Sequence, residues 1–170
     1  MGRDKSRLWL GRRTMLGQIR ATAKALRVPL RVIRRDAVPR CGPLGGIYTA
    51  LKSTEAGAVM FLACDMPFVT EALLRSVHER YGRQALFVTS DRGTSFPFML
   101  PREALATVAR QIEQGHFSLH ELARKLKARK FCPPAGRRAE LRNINTPREW
   151  ARAVRAWNRV REKRGRKRET

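Results

Sequence analysis

The chain has 170 residues, 42% hydrophobic and 30% charged, with a formal net charge of +23. That suits one globular domain with a sizeable core and argues against a disordered chain. No run approaches the roughly 18 apolar residues of a membrane span, and the opening MGRDKSRLWLGRR lacks an apolar h-region, so neither a spanning helix nor a secretory signal is expected.

The charge is uneven. Residues 1–40 carry about +10, 41–100 about zero, 101–150 about +6 and 151–170 about +7. A surface rich in arginine attracts polyanions: nucleic acid, a nucleotide or a phosphorylated metabolite. A solvated basic face is the plain alternative. Cys41, Cys64 and Cys132 lie far apart and form no CxxC, so a disulfide framework or zinc knuckle is not expected, and a reducing cytoplasm is the expected compartment.

In chain order, Thr14 to Leu26 has helical spacing, with Met15, Ile19, Ala23 and Leu26 on one face. Pro29 to Ile33 (PLRVI) reads as a short strand. CGPLGGIYTALK reads as a turn and then a helix through about Lys52. Gly57 to Cys64 (GAVMFLAC) is an unbroken apolar run, the pattern of a strand buried on both faces of a parallel sheet. Thr70 caps a helix through about Tyr81. Ala85 to Thr89 and Phe96 to Leu100 read as strands, and Pro97 places the second at an edge or starts it late. Residues 101–114 form an amphipathic helix. Ser118 and Glu121 make a capping box for the next helix. Leu141 to Ile144 reads as a last short strand. Thr146-Pro147-Arg148-Glu149 is a second capping box, opening a helix with Trp150, Val154 and Trp157. Strands alternating with helices predict a single doubly wound, mostly parallel α/β sheet with helices on both faces, over residues 1–157, followed by a basic tail, 158–170. In such sheets ligands sit outside the carboxyl ends of the strands.

Asp65 follows the buried strand directly, in FLACDMPFV. Mg²⁺ prefers one or two carboxylates plus substrate phosphates and water, so a single aspartate there suffices. Capping the turn at 65–68 is the competing role. GPLGGI, residues 42–47, lets backbone approach a ligand and offers helix N–H groups to an anion. It is neither GxGxxG nor a Walker A loop, and a plain strand–turn–helix junction competes. In GRDK, residues 2–5, Lys5 can neutralise phosphate oxygens or simply be solvated. Asn143 and Asn145, in LRNINTP, share one face of an extended stretch and can bond a ligand, hold Asp65, or serve the turn. His116 and His120 are spaced i, i+4, but there is no third ligand nearby and no HExxH, so metal binding is not expected there. No GxSxG elbow supports hydrolase chemistry.

Together and in this order, MG-x-DK, an aspartate before GPLGGI, LACDMPFV, a strand with proline, and NINTP resemble the molybdenum cofactor guanylyltransferase family, over about residues 1–155. The resemblance implies a Rossmann-like nucleotidyltransferase fold. It places Lys5, Asp36, Gly42, Pro43, Leu44, Gly45 and Asp65 around the nucleotide, Lys5 and Asp65 being catalytic. It makes Asp65 the Mg²⁺ ligand, and sets Asn143 and Asn145 beside the metal and the pterin phosphate. The implied reaction joins GMP from GTP to the terminal phosphate of molybdopterin and releases pyrophosphate. GTP and molybdopterin are thus the implied partners, with molybdoenzyme apoproteins or their chaperones beyond them, and no membrane.

Two departures from the family pattern stand out. The family signature begins earlier, with a strand and a loop Leu-x-Gly-Gly-x-Ser-x-Arg-Met-Gly whose Met aligns with Met1. The expectation is an N-terminally incomplete domain without its first strand, from a start codon placed too late. The stretch before GPLGGI also has room for one strand where the family has two. A cytidylyltransferase or another nucleotidyltransferase of the same fold is the near alternative. A basic nucleic-acid-binding protein, or an inactive truncated form, is the distant one; aromatics at 7% and the absence of an RNA-binding signature weigh against nucleic acid.

Overall fold

The computed structural model describes residues 7–91 and 93–166. A hairpin of β1 (Trp9–Leu10) and β2 (Arg13–Thr14) leads into α1 (Met15–Lys24), and α2 (Pro43–Lys52) follows after a long connection. Then come β3 (Ala58–Phe61), α3 (Glu71–Arg80), β4 (Leu86–Ser90), β5 (Gly93–Pro101), α4 (Ala104–Glu113), α5 (Leu119–Lys125), β6 (Arg129–Phe131), a 3₁₀ helix (Ala135–Leu141) and α6 (Pro147–Arg166). The main sheet has the order β3-β5-β4-β6.

Strand alternation builds two cores, one on each face. Val59, Phe61, Phe87, Phe98 and Leu100 pack with Leu44, Ile47 and Leu51 of α2, Val108 of α4 and Leu122 of α5. Ala58, Met60, Leu86, Val88 and Met99 pack on the other face, with Ile19 of α1 and Leu73, Leu74 and Val77 of α3. Successive strand residues point to opposite faces, and helices cover both. On the first face Phe61, Phe98 and Phe87 stack across three strands, with centroids 5.1 and 4.5 Å apart. Each such pair contributes about 0.5–1.5 kcal/mol beyond its burial. The helices begin as their caps dictate: Thr70 Oγ1 accepts from Leu73 N at 3.2 Å, and Thr14 Oγ1 from Gly17 N at 3.0 Å.

The apolar run at 57–64 is therefore packed on both faces, but it does not lie inside a parallel sheet. β3 pairs antiparallel with β5, which also pairs antiparallel with β4, while β4 and β6 are parallel. Three of the four strands run the same way, with β5 inserted against them. Among the described residues, nothing pairs with the outer edge of β3. The expectation that Pro97 puts its strand at an edge or starts it late is corrected on both counts: β5 is central, and it begins at Gly93. Phe98 pairs with both Phe61 and Phe87, and the next partner of β4 is Ser95, so Pro97 falls in a register shift where no ladder donor is needed.

Two expected strands do not form. Residues 29–33 make no ladder and run beside α2 instead. Arg31 Nη1 donates to Ser53 Oγ at 2.6 Å, Ala37 N donates to Thr49 Oγ1 at 2.8 Å, and the Asp36 carboxylate lies against Gly45. Gly45, Thr49 and Ser53 repeat every four residues, a small-residue stripe on one helix face that receives this segment. The strand expected at Leu141–Ile144 is likewise absent: Leu141 closes the 3₁₀ helix, and residues 142–145 have no sheet partner, tied instead by the backbone bonds Ile144 N to Asp65 O at 2.8 Å and Arg142 N to Ala139 O at 3.4 Å. Conversely, β1, β2 and β6 were not expected. They are two or three residues long and carry no periodicity of their own.

α6 continues through residue 158 to Arg166, into the stretch read as a tail. Its start is held by Trp150 and Ala153, which pack with Met15, Ile144, Leu8 and Phe68.

Candidate active site

β3 and β4 both end on one side of the sheet, and the chain just beyond them builds the site. After Phe61, the backbone turns through Met66 N to Ala63 O (3.4 Å) and Val69 N to Met66 O (3.2 Å), placing Asp65 in the first turn past the strand. The bond from Ile144 N then clamps the carbonyl of Asp65 to NINTP from outside the sheet. Asp65 Oδ1 is fully buried, and Asn143 Oδ1 is buried with no hydrogen-bond partner. A buried amide oxygen without a donor is costly, and it marks a place where a donor or a cation is due.

NINTP is held from its other end by the capping box. Glu149 Oε2 accepts from Asn145 N (2.8 Å), Thr146 N (2.9 Å) and Thr146 Oγ1 (3.1 Å), while Glu149 N donates to Thr146 Oγ1 at 3.2 Å. So the loop that meets Asp65 is fixed at the N-terminus of α6 as well as at the sheet.

Beside this junction opens a cavity of about 750 Å³. Its lining takes Ser90, Asp91, Thr94 and Ser95 from the β4–β5 hairpin, Phe68 from the loop after Asp65, Arg138, Arg142, Asn143 and Ile144 from the 3₁₀ helix and the stretch after it, and Glu149 and Arg152 from α6. That is the size of a small-molecule site, at the carboxyl ends of the strands. Asn143 lines it; Asp65 and Asn145 do not, although Asp65 is bonded to the lining residue Ile144.

The glycine segment lies at the start of α2. Gly42 is its N-cap with φ 53°, Pro43 is the first helical residue, and no side chain caps the N–H groups. Leu44 is fully buried in the core. A Cβ on Gly45 would stand 2.7 Å from Asp36 Oδ2 and 2.8 Å from the Val38 carbonyl, so only glycine fits while Asp36 lies there. The structure thus brings Asp36, Gly42, Pro43 and Gly45 together at the positive end of a helix. Lys5 lies outside the described residues.

The two histidines do not converge. His116 Nδ1 lies 3.0 Å from Glu121 Oε1, and His120 Nδ1 lies 3.4 Å from Thr94 Oγ1. Among the described residues, no three His, Cys, Asp or Glu side chains gather as a metal cluster.

Comparison with known proteins decides the family. The model of the MobA-like NTP transferase domain matches residues 1–130. The chain is 30% identical to a probable molybdenum cofactor guanylyltransferase of Opitutus terrae, over 86% of this chain and 85% of that protein. The chain belongs to the molybdenum cofactor guanylyltransferase family. It is also 30% identical to the molybdenum cofactor guanylyltransferase of Xanthomonas euvesicatoria pv. vesicatoria, over 91% of this chain and 87% of that one. The fold is shared with the molybdopterin-guanine dinucleotide biosynthesis protein A of Archaeoglobus fulgidus: TM-score 0.71, 20% identity, over 93% of this chain and 92% of that one. As a member of this family the chain is a nucleotidyltransferase, and its α/β fold is that of the group.

Most of the cavity carries little local signal in the sequence. Ser90 ends β4 and Asp91 directly follows it, so the rule that points to Asp65 also points to them. Arg138, Arg142 and Arg152 had no signal beyond composition, because they meet only when the 3₁₀ helix and α6 fold over the β4–β5 turn.

Proposed function

We propose that the chain transfers GMP from GTP to the terminal phosphate of molybdopterin, with release of pyrophosphate. The observation that carries this reading is the clamp between Asp65 and NINTP beside a cavity lined by arginines. The backbone of the strand-end aspartate is thereby bonded to Ile144, a residue of the cavity's wall.

In this reading the phosphate oxygen of the acceptor attacks the α-phosphorus of GTP and pyrophosphate leaves. A phosphate monoester is largely dianionic near neutral pH, its second pKa being about 6, so no catalytic base is required. The residues position and neutralise. The helix start at Gly42–Gly45, with Asp36 beside it, takes the nucleotide, and Lys5 neutralises its phosphates. The cavity takes the acceptor, with Asn143 at its wall and Asn145 holding the loop.

A magnesium ion fits the donor set. Asp65 supplies one hard carboxylate on rigid backbone, and Asn143 Oδ1 is a buried oxygen that lacks a donor. The remaining ligands would be phosphate and water, the usual arrangement for Mg²⁺. When bound, the ion would offset the negative charge that builds between α-phosphate and pyrophosphate.

We also propose a cytoplasmic reaction, since three widely spaced cysteines without a CxxC favour a reducing compartment. Among the described residues no helix is long and apolar enough to cross a membrane.

Thermal unfolding with GTP–Mg²⁺ against CTP–Mg²⁺ tests the reading. A ligand at about 100 times its Kd adds roughly 2.7 kcal/mol to stability. The larger shift is expected with GTP. Equal shifts would remove the base preference, and no shift with either would remove the reading. Lys5→Ala should weaken GTP more than guanosine; equal losses would remove the phosphate role of Lys5.

A further inference from the structure

We propose that Arg138 selects acceptors that carry a phosphate, and that Asp91 holds its guanidinium at the cavity mouth until that phosphate replaces it. This rests on the reading that the cavity takes the acceptor.

The charges lining the cavity are not equivalent. Of its two carboxylates, Glu149 is occupied by three donors of the α6 cap. The other, Asp91, meets Arg138 Nη1 at 3.3 Å. Among the described residues, Arg142 and Arg152 make no ion pair. An incoming anion therefore finds three guanidinium groups, one of them already drawn to the rim by an acid from the opposite wall.

The turn beneath Arg138 is fixed. Its neighbour Arg137 donates to Glu140 Oε1 at 2.9 Å and to Thr70 Oγ1 at 3.2 Å, and Leu141 is buried in the core below α3. Arg138 thus projects from an anchored base, while its head is free to choose a partner.

The Asp91–Arg138 contact is built to be exchanged. It is a single contact, with the Asp91 side chain 82% exposed and the Arg138 side chain 47% exposed. Pairs of that kind add little stability. A phosphate dianion offers a guanidinium two parallel charge-assisted bonds, a stronger and better-defined partner. A neutral acceptor of the same shape has nothing to displace Asp91 with, and it leaves the pair standing across the mouth. Asp91 would also repel a weakly held anion that does not engage Arg138.

Pterin fluorescence titration tests this, using a 6-hydroxymethylpterin phosphate monoester and its free alcohol as probes. The native protein should bind the phosphate form at least tenfold more tightly. Arg138→Ala should erase most of that difference while the alcohol binds as before. Asp91→Asn should tighten the phosphate form two- to fivefold, because a competitor is gone. Discrimination that survives Arg138→Ala, or is missing from the native protein, overturns the proposal. So does weaker phosphate binding in Asp91→Asn, the result expected of a merely structural pair. If the native protein shows this discrimination but no GTP–Mg²⁺ stabilisation, the guanylyl transfer reading fails and the assignment of Arg138 stands.

Discussion

Two regions flank the carboxyl ends of the strands, and they are built to different standards. On one side, the Asp65 turn, NINTP and the start of α6 are tied by the Ile144–Asp65 bond and by Glu149, with Ile144 and Ala153 buried beneath them. On the other side, residues 28–38 lie along α2 through a few contacts, most of them exposed, and leave Val28 at 49% and Leu30 at 38% exposure. The difference shows what a site needs from its scaffold. Backbone bonds to buried residues hold a carboxylate in place before any ligand arrives. Contacts made by long, solvated side chains hold a segment only loosely.

The sharpest break of this contrast is Asp65→Asn. It should abolish the metal-dependent part of GTP stabilisation, up to the roughly 2.7 kcal/mol expected near saturation. An unchanged shift in thermal unfolding with GTP–Mg²⁺ would remove Asp65 as the metal ligand. Next in size is the pair of neighbouring glycines in α2. Gly45→Ala should cost about 1–3 kcal/mol, because its methyl would press on Asp36 and on the Val38 carbonyl. Gly46→Ala, whose methyl meets Asp36 only at 3.5 Å, should instead gain up to about 1 kcal/mol of helix propensity. Urea denaturation of both variants checks this; a similar cost for each would mean that segment 36–38 does not dock on α2.

Thr146→Ala should cost about 1 kcal/mol, the usual worth of an N-cap, and should also raise the exchange rate of the Ile144 amide. Loss of stability without faster exchange at Ile144 would uncouple the cap from the Asp65 clamp. The smallest effect belongs to the loose side. Leu30→Ser should change stability by no more than about 0.5 kcal/mol. Amides of residues 28–38 should exchange faster than Ile144, and GTP–Mg²⁺ should slow Ala37 more than it slows Ile144. Uniform protection across both regions would erase the contrast.

The parts that read well from sequence are those set by local chemistry. Thr70, Ser118 and Thr146 announce their helices because a cap needs only the few residues around it. The run from Gly57 to Cys64 declares a strand covered on both faces, and both cores do cover it. Asp65 stands out because it follows that strand. PLRVI misleads, since β propensity describes a residue on a pleated surface with a partner beside it, and here the partner is a helix.

By itself, then, the sequence determined the helices, the central strands, the family and the strand-end position of Asp65, all set within a few residues or carried by an ordered set of motifs. Only the tertiary structure decided that β5 runs antiparallel through the centre, that residues 29–33 lie on α2, and that Asp91 meets Arg138 across a cavity. Those are pairings between residues tens of positions apart. Their geometry depends on which surfaces the cores leave open, and no local pattern records that.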